Sequence, residues 1–247
     1  MRSCKEACPR RRGAYLDRVN IWRTLGWGMG AAVALASLRA QAPDVVLTRP
    51  GQIVVSSVTG EVSMAVADQR RPIKVDDRVR VDATVTTGRK SLVTLAFSNG
   101  AVLELGTDSE LEIEELLQAP FASYVKTETL KEEPSVSRTR VHLIRGDLRL
   151  AVKPLLVARG STFIVALPAG TARVNEGALY AQVRMTEMGL GMCAIELERG
   201  TAEFELVGGA FTPVPTGRRL GFAVEVDRST GAIKVGAMPK ETPPEKK

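Results

Sequence analysis

The chain is poor in the side chains that most often build active sites. Of its 247 residues only 4% are aromatic, one is histidine and three are cysteine. Both tryptophans, Trp22 and Trp27, fall within the first 42 residues, so the remainder has only phenylalanine and two tyrosines with which to stack a base or a sugar. Cys4 and Cys8 precede an apolar run and leave Cys193 as the only thiol beyond it. No internal disulfide is open to that part, and a domain of this size needs none. Cys4 and Cys8 make half of a tetrahedral metal site that no second pair completes. The sequence therefore predicts no metal ligands and no cofactor.

Charge is also short where it would matter. The net charge of +6 belongs to the N-terminus: residues 1–42 hold 8 of the 34 Lys and Arg but 2 of the 28 Asp and Glu, and the rest carries 26 of each. Cations and anions are interspersed there, without the clustered positive charge that phosphate backbones require. Nucleic acid is not expected as a partner.

What is present first is an export signal. Residues 1–42 run from a basic region with Arg10, Arg11, Arg12, Arg18 and Arg23 into the apolar stretch Leu25–Leu38 and then Ala40-Gln41-Ala42. That stretch is shorter than the roughly 20 residues of a membrane-spanning helix, which favours cleavage over anchoring. Pro43 disfavours a cut at Ala42 and points to Ala40 or Ala36, or to a retained leader. The expected organisation is a signal peptide at 1–42, a linker at 43–51, a folded domain at 52–236 and a polar, disordered tail at 237–247. The protein is expected in the periplasm or cell envelope, touching membrane only if the leader stays on.

The folded part reads as strands. Arg78–Val85, Ser91–Phe97, Ala101–Leu105 and Glu110–Glu114 alternate apolar and polar residues, the mark of strands with one buried face. The texture returns at Val141–Ile144, Asp147–Val152, Phe163–Leu167, Ala178–Val183, Ala194–Glu198, Ala202–Leu206 and Leu220–Val224. Turn signals recur about every ten residues, with Gly60, Gly88, Asn99, Gly100, Gly146, Gly170, Gly200 and Gly217 as turn residues. Asn99-Gly100 predicts a two-residue type I′ hairpin flanked by Phe97 and Val102. The acidic stretch 114–138 breaks the pattern and reads as an inserted loop with a helical turn at Leu116-Leu117. The prediction is an all-β domain of many short antiparallel strands, solenoid-like or sandwich-like (jelly-roll-like), after an N-terminal signal helix.

Catalytic chemistry finds no motif. His142 sits on an alternating strand with no nucleophile motif beside it. Asp76, Asp77 and Asp82 lack the glycine-centred loop that wraps calcium and read as a charged strand edge. Glu110, Glu112 and Glu114 share one strand face, the wet side rather than a glycosidase pair. Ser161 has no nucleophile elbow around it, Arg145-Gly146-Asp147 reads as a turn, and Cys193 reads as a buried apolar-face residue.

Several of these stretches together resemble a known family. They are Gly60-Glu61-Val62, Pro72–Val79, Thr86–Leu105, Ser109–Ile113, Leu143–Leu148, Leu167–Val174, Glu196–Phe204 and Pro215–Leu220. The pattern is similar to the FecR domain of bacterial envelope proteins over roughly Val54 to Val235, departing from it at Asn175–Tyr180. The resemblance implies a non-enzymatic binding or scaffold module whose partner is an unknown envelope protein or glycan. Family founders are membrane-spanning regulators, so a tethered signalling module is the alternative and an enzyme acting on envelope polysaccharide the third reading. Only 23 residues precede Thr24, too few for a folded sigma-binding domain.

Overall fold

Alternation in the sequence becomes alternation of burial along each strand. In β7 (Leu92–Phe97) the side chains of Val93, Leu95 and Phe97 are fully buried while those between them are half-exposed. The computed structural model describes residues 47, 49–67, 69–121, 130–227 and 229–237. The expected signal peptide, and the tail beyond Ala237, lie outside the described residues. Among these residues the fold is all-β, with one short 3-10 turn at Val157–Arg159.

Before β7 come β1 (Arg49–Pro50), β2 (Ile53–Thr59), β3 (Val62–Val66), β4 (Gln69–Pro72), β5 (Arg78–Val79) and β6 (Ala83–Thr87). After it come β8 (Val102–Leu105), β9 (Glu110–Gln118), β10 (Ser137–Val152), β11 (Thr162–Leu167), β12 (Gly170–Met185), β13 (Leu190–Leu206), β14 (Thr212–Pro213), β15 (Arg219–Val226) and β16 (Ile233–Ala237). Neighbours pair antiparallel except β10 with β11, which run parallel.

Hydrogen bonds link these strands into one open sheet that folds over on itself. The first half of β10 pairs with β9 and β11, and its second half with β8 and β12. Strand β12 likewise passes from β11 to β10, and β13 from β15 to β14. One layer therefore runs β5-β2-β7-β8-β10-β12-β13-β15-β16 and the other β4-β3-β6-β9-β10-β11-β12-β13-β14. Phe97 of the first layer meets Phe163 of the second at 5.7 Å between ring centres, edge to face. Phe204 and Phe222 stack across the layers at 5.1 Å. The arrangement is sandwich-like, and the solenoid alternative is set aside by the antiparallel pairing.

Four expectations change here. Gly146 and Gly200 are not turns: they lie inside β10 and β13, with Gly177 inside β12, all at positive φ (98°, 93° and 108°) where these strands change layers. A glycine in mid-strand permits the bend and the close approach of a neighbouring backbone. The short strands predicted on either side of each are therefore halves of one strand. Gly60, Gly88 and Gly217 do lie in connections, and Gly170 opens β12 directly after the Pro168-Ala169 turn.

Asn99-Gly100 is not a type I′ pair. Only Gly100 has positive φ (90°), the N–H of Gly100 donates to Phe97 O, and Phe97 N–H donates to Ala101 O. This is the three-residue loop Ser98–Gly100, so Phe97 faces Ala101 rather than Val102. Asn99 is buried instead, its amide donating to Ser137 Oγ and Thr139 Oγ1.

The stretch 114–138 is not wholly a loop. Strand β9 continues to Gln118, and Leu116-Leu117 are strand residues paired with β10, not a helical turn. A register shift leaves Glu114 opposite no residue, so Glu114 and Glu115 are both half-exposed before Leu116 is buried again. That bulge breaks the period of two. The expected linker also ends inside the sheet, since β1 pairs with Leu117 and Gln118.

Candidate functional site

Four groupings of polar side chains stand out, each made by strands that the fold brings side by side. The first is on the outer face of β9 and β10. His142 Nδ1 lies 3.7 Å from Glu114 and 4.0 Å from Glu112, Arg140 pairs with Glu114, and Arg145 donates to Glu110 at 3.0 Å. Among the described residues Glu112, Glu114 and His142 are the one trio with metal-ligand spacing. Arg140 already neutralises Glu114, and all of these side chains are partly solvated, so they serve as cross-strand ion pairs of small net worth.

The second grouping is buried. Ser137 donates to Glu133 Oε1, Leu156 N–H donates to Glu133 Oε2 at 3.0 Å, and Ser137 N–H donates to Ser161 Oγ at 3.2 Å. Asn99 joins through Ser137. Glu133, expected in a solvated loop, is 2% exposed and satisfied on both oxygens. Ser161 is a structural acceptor in a closed polar network.

Asp147 is the hub of the third. Oδ1 accepts from Tyr180 Oη and Gln182 Nε2, both at 2.8 Å, and Oδ2 from Arg184 at 2.5 Å. Arg149 and Arg219 flank the Tyr180 ring at 6.0 and 5.6 Å. Glu104 and Asp147 share a depression of about 220 Å³. Burial would raise the pKa of Asp147, but the hydrogen bonds from Arg184, Tyr180 and Gln182 outweigh it and hold the carboxyl below its ordinary 3.8. A carboxylate so engaged is the opposite of a general acid, which needs a raised pKa. Burial and then the Asp147 bond push Tyr180 up from 10. The stability that Asp147 contributes is present above its unfolded pKa and lost as pH falls through the lower folded value. Asp147→Asn should therefore lower the urea midpoint at pH 7 by more than it does near pH 3, as followed by circular dichroism.

The fourth grouping lies at the end of the sandwich where the chain leaves edge strand β4 and returns as edge strand β5. Arg70, Arg71, Arg78 and Arg80 line a cleft of about 600 Å³ with Gln69, Met64 and Val66. Arg71 Nη1 donates to Asp77 at 2.8 Å, and the N–H of Lys74 donates to the same oxygen at 3.1 Å. The Arg71 hydrogen bond and then that of Lys74 hold Asp77 below its ordinary pKa. Asp77 thus fixes the corner and Arg71 with it. Asp76 and Asp82, with φ of 68° and 64°, occupy left-handed positions in the turns on either side of β5. Arg70, Arg78 and Arg80 have no carboxylate within ion-pair distance among the described residues.

Sequence reasoning missed this cleft. Residues 69–80 hold five cations against two acids, a local excess hidden by the overall balance and concentrated only when β4 and β5 come together. Other predicted residues fall elsewhere: the Arg145-Gly146-Asp147 tripeptide is a layer crossing, and Cys193 is fully buried on the apolar face. Burial pushes the Cys193 thiol up to about 11. At pH 8 only about 0.1% would be thiolate, so iodoacetamide should leave Cys193 untouched until urea unfolds the chain, read from the mass of its peptide. Ready labelling of folded protein would contradict the packing.

An open, two-layered β-sheet module with a basic end defines the class of the protein. Residues 83–203 match the family model described as FecR protein, and the chain is a FecR-domain protein across that span. Two crystal structures of a protein from Parabacteroides distasonis, provisionally described as an anti-sigma factor, align at 14% and 13% identity with a TM-score of 0.39. Each alignment covers 62% of this chain and 59% of the other, so this chain spans less than two thirds of those proteins. No curated protein matches in sequence. No helix among the described residues is long and apolar enough to cross a membrane.

Proposed function

We propose that this is a non-enzymatic FecR-domain protein that is exported and acts as a binding module in the bacterial cell envelope, engaging an envelope protein or glycan. The observation that carries the reading is the arginine-lined cleft between β4 and β5. Its lining offers donors and positive charge to a ligand and contains no carboxylate, histidine or thiol to move a proton. The FecR match favours a second reading, a sensor tethered by its leader and regulating across the membrane.

Intact mass and N-terminal peptide mapping of protein from the fractionated native host tests export and separates the two. A mature start between Ser37 and Pro43 in the soluble envelope fraction supports the free module. The whole leader in the inner membrane supports the tethered sensor. Recovery of the full chain from the cytoplasm overturns both.

A further inference from the structure

The β4–β5 cleft is lined by four arginines, of which only Arg71 has a carboxylate partner among the described residues. Arg70 has one hydrogen bond, to Thr86 Oγ1 at 3.5 Å, and Arg78 and Arg80 have no carboxylate partner among the described residues. Among the described residues, three of the guanidinium groups lining the cleft thus have no ion-pair partner, beside a fourth held in place by Asp77. The lining has almost no acceptors and little apolar wall beyond Met64 and Val66. Recognition there must come from charge and donated hydrogen bonds, so a fitting ligand is mostly acceptor oxygen. One phosphate, with a charge of about −1.5 to −2 at neutral pH, would leave at least one of the three charges unmatched, whereas a volume of about 600 Å³ admits two. A depression of about 550 Å³ that shares Arg70 and Arg71 adjoins it and extends the same surface to the turn residues Gly60 and Gly88.

Arginine-rich edge strands also prevent edge-to-edge pairing. Protection alone would spread the charges along the strand edges without bringing those of two strands together. Here they converge on a cleft, one of them is fixed by an ion pair, and two left-handed aspartates shape the adjoining turns.

We propose that this cleft binds a ligand carrying two adjacent phosphate groups, held by the guanidinium forks of Arg70, Arg78 and Arg80, with Arg71 positioned by Asp77. Guanidinium presents paired donors that match phosphate oxygens. The inference rests on the binding-module reading above and names its ligand chemistry. A soluble diphosphate and a diphosphorylated lipid headgroup share that chemistry.

Calorimetric titration of the chain purified from the envelope with sodium pyrophosphate tests it. Saturable one-site binding is expected, weakened about tenfold or more by Arg78→Gln or by Arg80→Gln, as for a lost charge-assisted hydrogen bond. It should weaken further as NaCl rises from about 50 to 200 mM. Arg149→Gln, on the Asp147 face, should leave it unchanged. Sedimentation with phosphatidylcholine vesicles, with and without cardiolipin, distinguishes the sources. Cardiolipin-dependent, Arg78-dependent sedimentation assigns the site to a lipid, and pyrophosphate binding without it to a soluble ligand. Circular dichroism should show both variants folded, since Arg78 and Arg80 are exposed. Absence of both pyrophosphate and vesicle binding, or displacement of pyrophosphate by a lower concentration of hexaglutamate, would overturn the assignment. The second result would point to an acidic polypeptide and leave the binding-module reading standing.

Discussion

Phe97→Ala is expected to lower the stability of the folded domain by about 3–5 kcal/mol, the cost of emptying a fully buried aromatic site. For a domain of this size that is a fall in Tm of roughly 6–20 °C. The reason lies in the fold rather than in hydrophobicity alone. Phe97 ends β7 in one layer and meets Phe163 of β11 in the other, edge to face, with both rings fully buried. The pair joins two layers whose strand ladders meet in β10, β12 and β13. Phe163→Ala should cost a similar amount, and the double variant less than the sum, because the two side chains share one contact. Thermal denaturation of the four proteins gives the cycle. Additive losses would mean that the rings do not support each other.

Gly177→Ala carries the second large effect. Gly177 and Gly200 oppose each other where β12 and β13 change layers, with φ of 108° and 93°. A Cβ on Gly177 would stand 2.0 Å from Arg199 O and 2.7 Å from the Gly200 Cα, and one on Gly200 would stand 2.1 Å from Glu176 O. These are backbone atoms, which cannot swing aside as a side chain does. Left-handed strain alone costs about 1–3 kcal/mol, and the clash adds to it, so a loss of about 3 kcal/mol or more is expected, with Tm lower by roughly 6–12 °C. Gly208→Ala is the control, since its φ is also positive but nothing lies within 4 Å of its Cβ position. It should lose only the strain. Equal losses at 177 and 208 would remove the packing argument for the corner.

How far the fold could be read in advance follows from the same residues. Strands such as Leu92–Phe97 and Phe163–Leu167 were legible because side chains alternate strictly across a sheet and burial imposes that alternation on sequence. The crossings were not, because a glycine in a strand that bends has the same local signature as a glycine in a turn. Gly146 and Gly200 separate two apolar runs in either case. The end of β9 was hidden by its bulge at Glu114, where two consecutive acidic residues imitate a loop. In the sequence Asn99 signals backbone freedom, while the structure uses its amide, a role that depends on Ser137 and Thr139 some forty residues away. The arginine cleft depended on two edge strands meeting at one end of the sandwich, which no local pattern encodes. The FecR resemblance did identify the domain, and residues 83–203 carry it.

Hydrogen exchange of the purified chain, with and without solubilised envelope from its native host, addresses the central claim that this FecR-domain protein works through the basic end of its sheet. It requires no assumption about the ligand. The account predicts slowed exchange of amides confined to Gln69–Arg80 and the adjoining turn at Gly60, lost in the Arg78→Gln variant. Protection centred on the Asp147 face or on β16, or none at all, would contradict it.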